Sequence, residues 1–555
     1  MARIDDSKKL FFITSPRTPF KMIPEIELLI NNLSGKPWDK RSQNDFANLL
    51  ADSLSFKGNA SNDKGFSARD RITRGPKALG FVDLKPYIEL TEAGKLFLYS
   101  RRPNEIFTRQ ILKFQLPSPF HTDKANNYYV KPYLEILRLT YDLEYLSKDE
   151  IKMFGLLIND YRKYDDILNA IKSFRVESKK INRNETSYKI YKEDTFTSIV
   201  EKVYEEEIES IISRDKQNKF IKTKKQTMGD YADACFRYIR ATELVTTNKQ
   251  GNYIMVAKNK AKEVEYILNT IDRKPGKFIN ESEYKKYLYN PLIPTLAIDN
   301  REEITEILVD FGEDINALNK KTILELQDLK HELTLKKTEE NILQTISKIK
   351  TFEEFDDILQ IYKDIKAKKV FDQPLMLEWN TWRAFTMLND GNIIGNFKVD
   401  IEGMPLSTAS GNLPDIKCEY SNFNLIVEVT MSSGQKQYEM EGEPVARHLG
   451  DIKAENLEKE AYCIFIAPKP SEATIAHFYS LNQIKIKRYC GKSKIIPMSI
   501  DMFVDMLKCA MKNKSKISSV ALKSYLDRLC KAIDDVQDEA EWYKLIQDTS
   551  KSWIY

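Results

Sequence analysis

Apolar residues recur at helical spacing along much of the chain, and short alternating runs interrupt them. The stretch from Glu25 to Phe56 has the spacing of helices. Residues 81–84 and 87–90 alternate between apolar and polar side chains in a way that predicts a β-hairpin. Thr91 follows directly, where a threonine side chain can cap the first turn of another helix. The beginning of the chain is therefore predicted to be helical around one hairpin.

A second set of the same kind follows. Residues 146–151 predict a capped helix start, and another helix is predicted to begin at Tyr231 and end near Glu243. The short runs 244–247 and 253–256 predict a second hairpin. Helices followed by a hairpin resemble a winged helix, in which a helix enters the major groove of DNA and the hairpin touches the backbone. We expect mostly α-helical, winged-helix-like DNA-binding domains here.

Two charged segments leave alternatives open. Residues 179–225 are rich in Lys, Arg, Asn and Glu, which is typical either of a solvated helical surface with a mobile loop or of a surface that contacts phosphates. Residues 301–369 contain almost no Pro or Gly and have apolar residues at helical spacing. This pattern predicts a helical linker domain, although simple packing helices would have the same pattern.

The pattern becomes α/β in the last third of the chain. A helix is predicted through Trp379 and Phe385, and a segment rich in turns follows it as far as Pro414. Three strongly apolar runs then predict strands, at residues 424–430, 462–467 and 495–500. The predicted domains are residues 1–140 and 141–300 for DNA binding, 301–370 as the linker and 371–555 as an α/β domain.

Glu428 is the most informative residue of this α/β domain. It lies inside the most apolar predicted strand, where an ionised carboxylate is costly unless a cation or hydrogen-bond donors compensate it. Asp415 lies at the start of the preceding predicted strand, far enough upstream for a hairpin to return beside it. Mg²⁺ prefers oxygen ligands and promotes phosphodiester hydrolysis, so the pair is a candidate Mg²⁺-dependent nuclease site.

Pro414-Asp415, a hairpin and Glu428-Val429-Thr430 are similar to the core of PD-(D/E)-x-K nucleases. Thr430 stands where that motif usually carries Lys. Alternatives remain, because Pro-Asp is a common turn and a single Glu in a strand can belong to a core ion pair.

Short motifs that carry a wider resemblance are spread along nearly the whole chain. In the N-terminal half they are Thr14–Arg17 (TSPR), Phe66–Arg71 (FSARDR), Leu90–Lys95 (LTEAGK) and Phe114–Pro119 (FQLPSP). In the C-terminal half they are Leu377–Trp382 (LEWNTW), Gly411–Asp415 (GNLPD), Val427–Thr430 (VEVT), Met440–Val445 (MEGEPV) and Cys463–Pro468 (CIFIAP). Together these motifs resemble the AlwI-like family of type IIS restriction endonucleases, which includes site-specific nicking endonucleases.

The resemblance implies a catalytic set of four acids, Glu378, Asp415, Glu428 and Glu441. Asp415 and Glu428 would hold the metal ion, and Glu378 would bind it or its water from the preceding helix. Glu441 would orient or deprotonate the attacking water, where a lysine would otherwise act.

Other readings of the same segment stay open. Glu378 could be a surface acid, and either neighbour of Glu441 in the acidic run, Glu439 or Glu443, could take its role. Lys436 could supply the missing cation. The next predicted helix carries Arg447 and His448, which are either structural or in contact with phosphates, and the structural reading is favoured.

Charge and composition narrow the function further. Residues 1–300 carry a net charge of +11 and residues 301–555 one of −7, so the first part suits a polyanion. The six cysteines form no C-x-x-C pair and the four histidines are widely separated, which argues against a zinc or disulfide framework. An acidic N-terminus and the lack of a long apolar run predict a cytoplasmic protein without a membrane segment.

Four basic residues are the candidates for DNA contact, namely Arg69, Arg71, Arg74 and Lys77. Arg makes bidentate contacts with guanine, and both Arg and Lys neutralise phosphates. Alternatively, Asp70 pairs with a neighbouring Arg and braces the domain.

The sequence therefore predicts a type IIS site-specific deoxyribonuclease that binds a short asymmetric duplex site and cuts outside it with Mg²⁺. Such an enzyme belongs to a restriction-modification system with a cognate DNA methyltransferase, and it can dimerise through its catalytic domain on DNA. The alternatives are a nicking endonuclease, a non-enzymatic winged-helix DNA-binding regulator and a nuclease that acts on RNA or branched DNA.

Overall fold

The computed structural model describes residues 12–53, 64–120, 127–181, 185–388, 390–409 and 412–554. The chain forms two compact units: Met1–Thr247 with Tyr253–Leu335, and Asn248–Asn252 with Lys336–Tyr555. The described chain is mostly helical, with a mixed sheet in the second unit. The predicted division into four domains is finer than these two units and stays a prediction.

The helices of the first unit are numbered α1 to α15. They are Met22–Leu33, Lys40–Asp52, Lys64–Arg74, Glu92–Tyr99, Pro103–Lys113, Pro132–Asp142, Lys148–Met153, Tyr164–Ile181, Glu185–Val203, Glu205–Glu209, Arg214–Arg240, Ala261–Thr270, Glu281–Tyr289, Arg301–Asp310 and Ile315–Leu318. The next helix, α16, is Ile323–Lys350. The strands β1 to β5 are Val82–Asp83, Glu89–Leu90, Leu146–Ser147, Val245–Thr247 and Tyr253–Val256.

Both predicted hairpins are present. Strands β1 and β2 pair antiparallel, and Thr91 caps α4 by accepting a hydrogen bond from the Gly94 N–H at 3.0 Å. Strands β4 and β5 also pair antiparallel, and β3 extends this second sheet. Ser147 and Glu150 form a capping box at the start of α7. The winged-helix character of these two sets stays a prediction.

The prediction for the helix at Tyr231 is wrong at its start. Helix α11 begins at Arg214 and ends at Arg240. Its first half has only two apolar residues, Phe220 and Ile221, so it lacks the apolar periodicity that marks a helix in a sequence. It also lacks a proline that would stop the helix, and buried positions begin only at Met228.

The two charged segments are mostly helical where they are described. Residues 179–225 contain parts of α8 to α11, and residues 182–184 lie outside the described chain, as do residues 54–56 of the first predicted helices. Lys180 and Lys192 make ion pairs within the protein, with Glu177 and Asp149. The segment 301–370 is helical, as predicted.

The second unit continues with helices α17 to α23 and strands β6 to β12. The helices are Phe355–Lys366, Gln373–Leu388, Gln435–Glu455, Glu472–Gln483, Ile500–Lys512, Ser519–Lys531 and Glu539–Ser550. The strands are Asn392–Gly395, Lys398–Val399, Pro405–Ser407, Ile416–Glu419, Phe423–Val429, Glu460–Ala467 and Ile495–Ser499.

The five-stranded sheet has the order β12-β11-β10-β9-β6. Strand β10 is parallel to β11, and β11 is parallel to β12, whereas β9 is antiparallel to both β10 and β6. The three predicted strands correspond to β10, β11 and β12. Strands β6 to β8 lie in the predicted turn-rich segment, and the sequence did not indicate them because they are short and partly exposed.

Alternating side chains of the sheet divide the apolar core into two layers. Val427, Ile464 and Ile466 belong to the larger layer, which includes residues of α18 and α21. Ile426 and Phe465 belong to the smaller layer, with residues of α19 and α20. Strand β10 is buried on both faces, so a carboxylate within it needs polar partners. In the described chain, no helix is both long and apolar enough to span a membrane.

Candidate active site

Asp415 and Glu428 come together where β10 ends. Strand β9 begins at Ile416, which pairs with Val427, so Asp415 lies beside Glu428 at the end of this ladder. The Asp415 carboxylate accepts a hydrogen bond from the Val429 N–H at 2.8 Å. The hairpin that the spacing of these two acids predicts is therefore present, and it brings both carboxylates to one edge of the sheet.

Glu428 lies on the face of β10 that α19 covers. One of its oxygens, Oε1, is 2.7 Å from Nδ1 of His448, and both side chains are buried. An ionised carboxylate only accepts hydrogen bonds, so Nδ1 donates. The sequence favours a structural role of His448 over contact with phosphates and does not predict this contact. The signal was its position seven residues after Glu441, which places both side chains on one face of a helix.

Glu378 reaches the same edge from α18. It is 6% exposed and accepts a hydrogen bond from the Ala409 N–H at 3.0 Å, so it is not a surface acid. Burial raises the pKa of Glu378 well above its usual value, and the negative charges of Asp415, Asp372 and Glu428 raise it further. Three of the four predicted acids, Glu378, Asp415 and Glu428, are therefore near enough for their charges to interact.

Glu441 lies next to the position where the nuclease motif usually has its lysine. The Thr430 hydroxyl donates to Oε1 of Glu441 at 2.8 Å. Of the neighbouring acids, Glu439 is exposed, and Glu443 faces Arg447 and Arg488. The contact with Thr430 therefore distinguishes Glu441 from its neighbours. Another alternative, Lys436, is exposed.

The donor set suits a hard divalent cation. Carboxylate oxygens are the ligands that Mg²⁺ prefers, and a cation would relieve the repulsion that raises the pKa of Glu378. Across the described ranges, no group of three or more acidic, histidine or cysteine side chains already has metal-binding geometry. The chemistry of the residues fits the cation, and the assignment of individual ligands stays a prediction.

The four candidate DNA-contact residues lie together in the first unit. Arg69, Arg71 and Arg74 are in α3, and Lys77 follows in the next turn. Arg71 pairs with the buried carboxylate of Glu25, and Nζ of Lys77 is 4.9 Å from the ring centroid of Phe120. Burial lowers the pKa of Lys77.

The alternative interaction, an ion pair between Asp70 and a neighbouring arginine, is also present. Nη2 of Arg74 is 2.9 Å from Oδ2 of Asp70. Contact of these residues with bases or phosphates stays a prediction.

Comparison with known families identifies the chain. The sequence profile of the AlwI restriction endonuclease family matches residues 77–506, which is more than half of the chain. The chain belongs to this family. It is therefore a site-specific DNA endonuclease, and enzymes of this class generally use a divalent metal ion. The resemblance carried by the sequence motifs is confirmed.

Two solved structures show partial likeness. The small subunit of the heterodimeric restriction endonuclease R.BspD6I is 28% identical, and the likeness covers 35% of this chain and 98% of that chain, with a TM-score of 0.31. The BpuJ1 endonuclease binding domain, in complex with pyrene- and phenanthrene-modified DNA, is 18% identical over 48% of this chain and 89% of that chain, also with a TM-score of 0.31. These scores do not establish a shared fold. Among curated proteins, none matches the chain.

Proposed function

We propose that this AlwI-family endonuclease is a type IIS enzyme of the cytoplasm. It binds a short asymmetric duplex site and hydrolyses phosphodiester bonds outside that site with Mg²⁺, as part of a restriction-modification system with a cognate DNA methyltransferase. The observation that supports this proposal best is the cluster of Glu378, Asp415 and Glu428 at one edge of the sheet.

Each polar residue of the site has a distinct proposed role. Asp415 and Glu428 hold the cation and Glu378 contributes from α18, while His448 keeps Glu428 in place through its Nδ1–H. When bound, Mg²⁺ supplies positive charge that stabilises the negative charge developing on the phosphate during hydrolysis. Glu441 takes a proton from the attacking water at Oε2, because its Oε1 accepts from the Thr430 hydroxyl.

Recognition and hydrolysis are assigned to different parts of the chain. Two winged-helix-like domains at 1–140 and 141–300 read the DNA, the first through α3 with Arg69, Arg71, Arg74 and Lys77. A helical linker at 301–370 precedes a PD-(D/E)-x-K-like catalytic domain at 371–555. The candidate DNA contacts lie in the first unit and the acids in the second, so the proposed recognition and hydrolysis use different units of the chain.

A nicking endonuclease is the second candidate. In the described chain, one cluster of the predicted acids is present per molecule, and one such site cuts one strand. Cleavage of both strands then needs a second catalytic domain, which a second copy of the chain can supply by dimerising through the catalytic domain on DNA. A non-enzymatic regulator is disfavoured by the family match.

Cleavage of supercoiled plasmid tests the proposal. The protein is incubated with Mg²⁺ or with EDTA, and run-off sequencing maps the cuts. We expect cuts at a fixed distance from one asymmetric sequence, with Mg²⁺ only. Linear fragments indicate a double-strand cutter, whereas open circles cut on one strand indicate a nicking enzyme.

The variant Glu428→Gln separates an enzyme from a regulator. We expect it to keep specific binding in a gel shift and to lose cleavage by roughly 10²- to 10³-fold or more, the size of effect seen when one group that stabilises the transition state is removed. If wild-type protein binds its site but gives no Mg²⁺-dependent product, the proposal is wrong and the regulator is favoured.

A further inference from the structure

Gln437 is a buried amide beside the catalytic edge that the proposed mechanism does not use. It lies in the first turn of α19 and is 0% exposed. Its Nε2 donates to the Ser432 carbonyl at 2.8 Å and to the Lys469 carbonyl at 3.4 Å, and its Oε1 accepts from the Ser471 N–H at 2.7 Å. The side chain therefore joins the segment that follows β10 to the segment that follows β11.

The Ser432 end of this contact leads to Glu441. The Ser432 N–H donates to Thr430 Oγ1 at 3.0 Å, and the Thr430 hydroxyl donates to Glu441 at 2.8 Å. Gln437 thus binds the carbonyl group of Ser432, and Thr430 binds the N–H group of the same residue. Three hydrogen bonds in series connect the buried amide with the carboxylate of Glu441.

The direction of these bonds gives the series a physical role. A threonine hydroxyl has one proton to donate and two lone pairs that accept. Because the Ser432 N–H occupies a lone pair, the Thr430 proton is directed at the Glu441 carboxylate. If the Ser432 backbone shifts, the hydroxyl loses this orientation and so does Glu441.

We propose that Gln437 is a positioning residue for phosphodiester hydrolysis, which sets the orientation of Glu441 through Ser432 and Thr430. The inference rests on the proposed function, in which Glu441 takes a proton from the attacking water. A misplacement of about 1 Å at a reacting group can slow an enzyme by about a hundredfold, so a residue at this distance from the chemistry can control the rate.

The first test compares two buried amides of the same unit. Gln437→Met removes the hydrogen bonds and keeps the side-chain length. The matched control is Asn482→Leu, because Asn482 is also buried and donates to Phe478 and Ile495 carbonyls through Nδ2. Each variant is examined by thermal unfolding, by DNA binding in EDTA and by single-turnover cleavage at saturating enzyme.

We expect Gln437→Met to slow single-turnover cleavage by roughly 10- to 100-fold. This is the usual effect of removing a residue that orients a catalytic side chain without touching the substrate. Its affinity for DNA should stay within about twofold of wild type, because no DNA contact is removed. Asn482→Leu should lower the unfolding temperature without slowing cleavage. The proposal would be overturned if Gln437→Met cleaved as fast as wild type. It would also be overturned if Gln437→Met and Asn482→Leu slowed cleavage equally.

A double-mutant cycle with Thr430→Val tests the route of the effect. If Gln437 acts through Thr430, the double variant Gln437→Met/Thr430→Val should cleave no more slowly than the slower single variant. If Gln437 has a purely structural role, the reductions in cleavage rate of the two single variants should multiply in the double variant. That result would contradict the proposal. Should Gln437→Met fail to fold, Gln437→Asn replaces it, since it keeps a neutral buried amide whose side chain, shorter by one methylene, cannot reach both Ser432 and Ser471. Wild-type protein that does not cleave at all would refute the proposed function instead.

Discussion

Glu378 and Glu441 are both acids on helices, yet their surroundings differ. Glu378 is buried beside two other carboxylates, and burial with this repulsion raises its pKa well above the usual value. Glu441 is only half-buried and is oriented by a threonine hydroxyl. The environment of Glu378 suits a cation ligand, and that of Glu441 suits a group that accepts a proton.

Substitution along the acidic run tests the choice of Glu441. We expect Glu441→Gln to slow cleavage by roughly 10²- to 10⁴-fold, the usual contribution of general acid-base catalysis. Glu439→Gln and Glu443→Gln should cleave at nearly the wild-type rate, because Glu439 is exposed and Glu443 pairs with arginines. Single-turnover rates on one plasmid site provide the measurement. A loss confined to Glu443→Gln would show that Glu441 is the wrong acid.

At the scale of elements, the turn before α19 sets the position of Glu441, Gln437 and His448 together. Gly434 precedes this helix with φ of +61°, in the left-handed region that favours glycine. Its α-hydrogen points into open space, since a Cβ there would meet nothing within 4 Å. Glycine is therefore required by the backbone conformation and not by crowding.

Replacing this glycine should affect stability and cleavage together. We expect Gly434→Ala to destabilise the second unit by about 1–3 kcal/mol, through backbone strain, and to slow cleavage. Gly229→Ala is the control, because Gly229 lies inside α11 with no atom within 4 Å of a Cβ, and alanine there should stabilise the helix by roughly 0.5–1 kcal/mol. Thermal unfolding and cleavage rates are compared. An unchanged Gly434→Ala protein would contradict the argument.

A buried ion cluster joins α12 to α16. Glu263 Oε1 is 2.9 Å from Nζ of Lys260 and 2.8 Å from Nζ of Lys330, and all three side chains are buried. Burial alone would raise the pKa of Glu263, but the two lysines lower it to about 2. The unfolded chain therefore binds a proton at Glu263 more readily than the folded chain does.

The pKa of Glu263 predicts a pH dependence of stability. Because the folded value lies below the unfolded value of 4.5, its contribution is present above pH 4.5 and is lost as the pH falls towards about 2. The loss over that range amounts to about 3 kcal/mol. Glu263→Gln should destabilise the protein by about 3–5 kcal/mol at pH 7, since two buried lysines lose their partner.

Urea unfolding from pH 6 to pH 3 provides the measurement for Glu263. The difference between wild type and Glu263→Gln should shrink as the pH falls below about 4.5, because the unfolded wild-type chain then takes up a proton at Glu263 that the folded chain does not bind. Glu265→Gln, at an exposed position two residues away, should follow the wild-type profile. A difference that does not change with pH would show that Glu263 is not ionised in the folded protein.

At the scale of the whole molecule, candidate DNA contacts and acids belong to different units of one chain. With one such cluster in the described part of the chain, the proposed mechanism cuts the two strands of a duplex in separate events. We expect open-circular plasmid to appear first, and linear DNA to appear later at a rate that rises with protein concentration. The measurement is a time course of both products on a plasmid with one site.

Mixing with an inactive partner provides the control for this time course. Added Glu428→Gln protein should suppress linear DNA more strongly than open circles, if two copies must meet to cut both strands. A rate of linear DNA that is independent of protein concentration would contradict dimerisation, and a complete absence of linear DNA would identify a nicking enzyme.

Much of the local structure was predictable from the sequence. The caps at Thr91 and Ser147 depend on contacts over three residues, and both hairpins depend on alternation within a few residues. Asp415 and Glu428 also belong to this group, because a hairpin joins them. The start of α11 was not predicted for a related reason, since Phe220 and Ile221 are the only apolar residues of its first half and define no period.

Long-range contacts were decided only by the tertiary structure. Glu378 meets the site through α18 and the Ala409 N–H, His448 reaches Glu428 from another element, and Gln437 joins Ser432 to Ser471. No local period encodes such contacts, because they form only when separate elements pack. The sequence by itself determined the family, most elements and the acids that could act, since these depend on residue type and short spacing. Which of these side chains face one another, how deeply they are buried and how their pKa values shift depended on packing across the sheet.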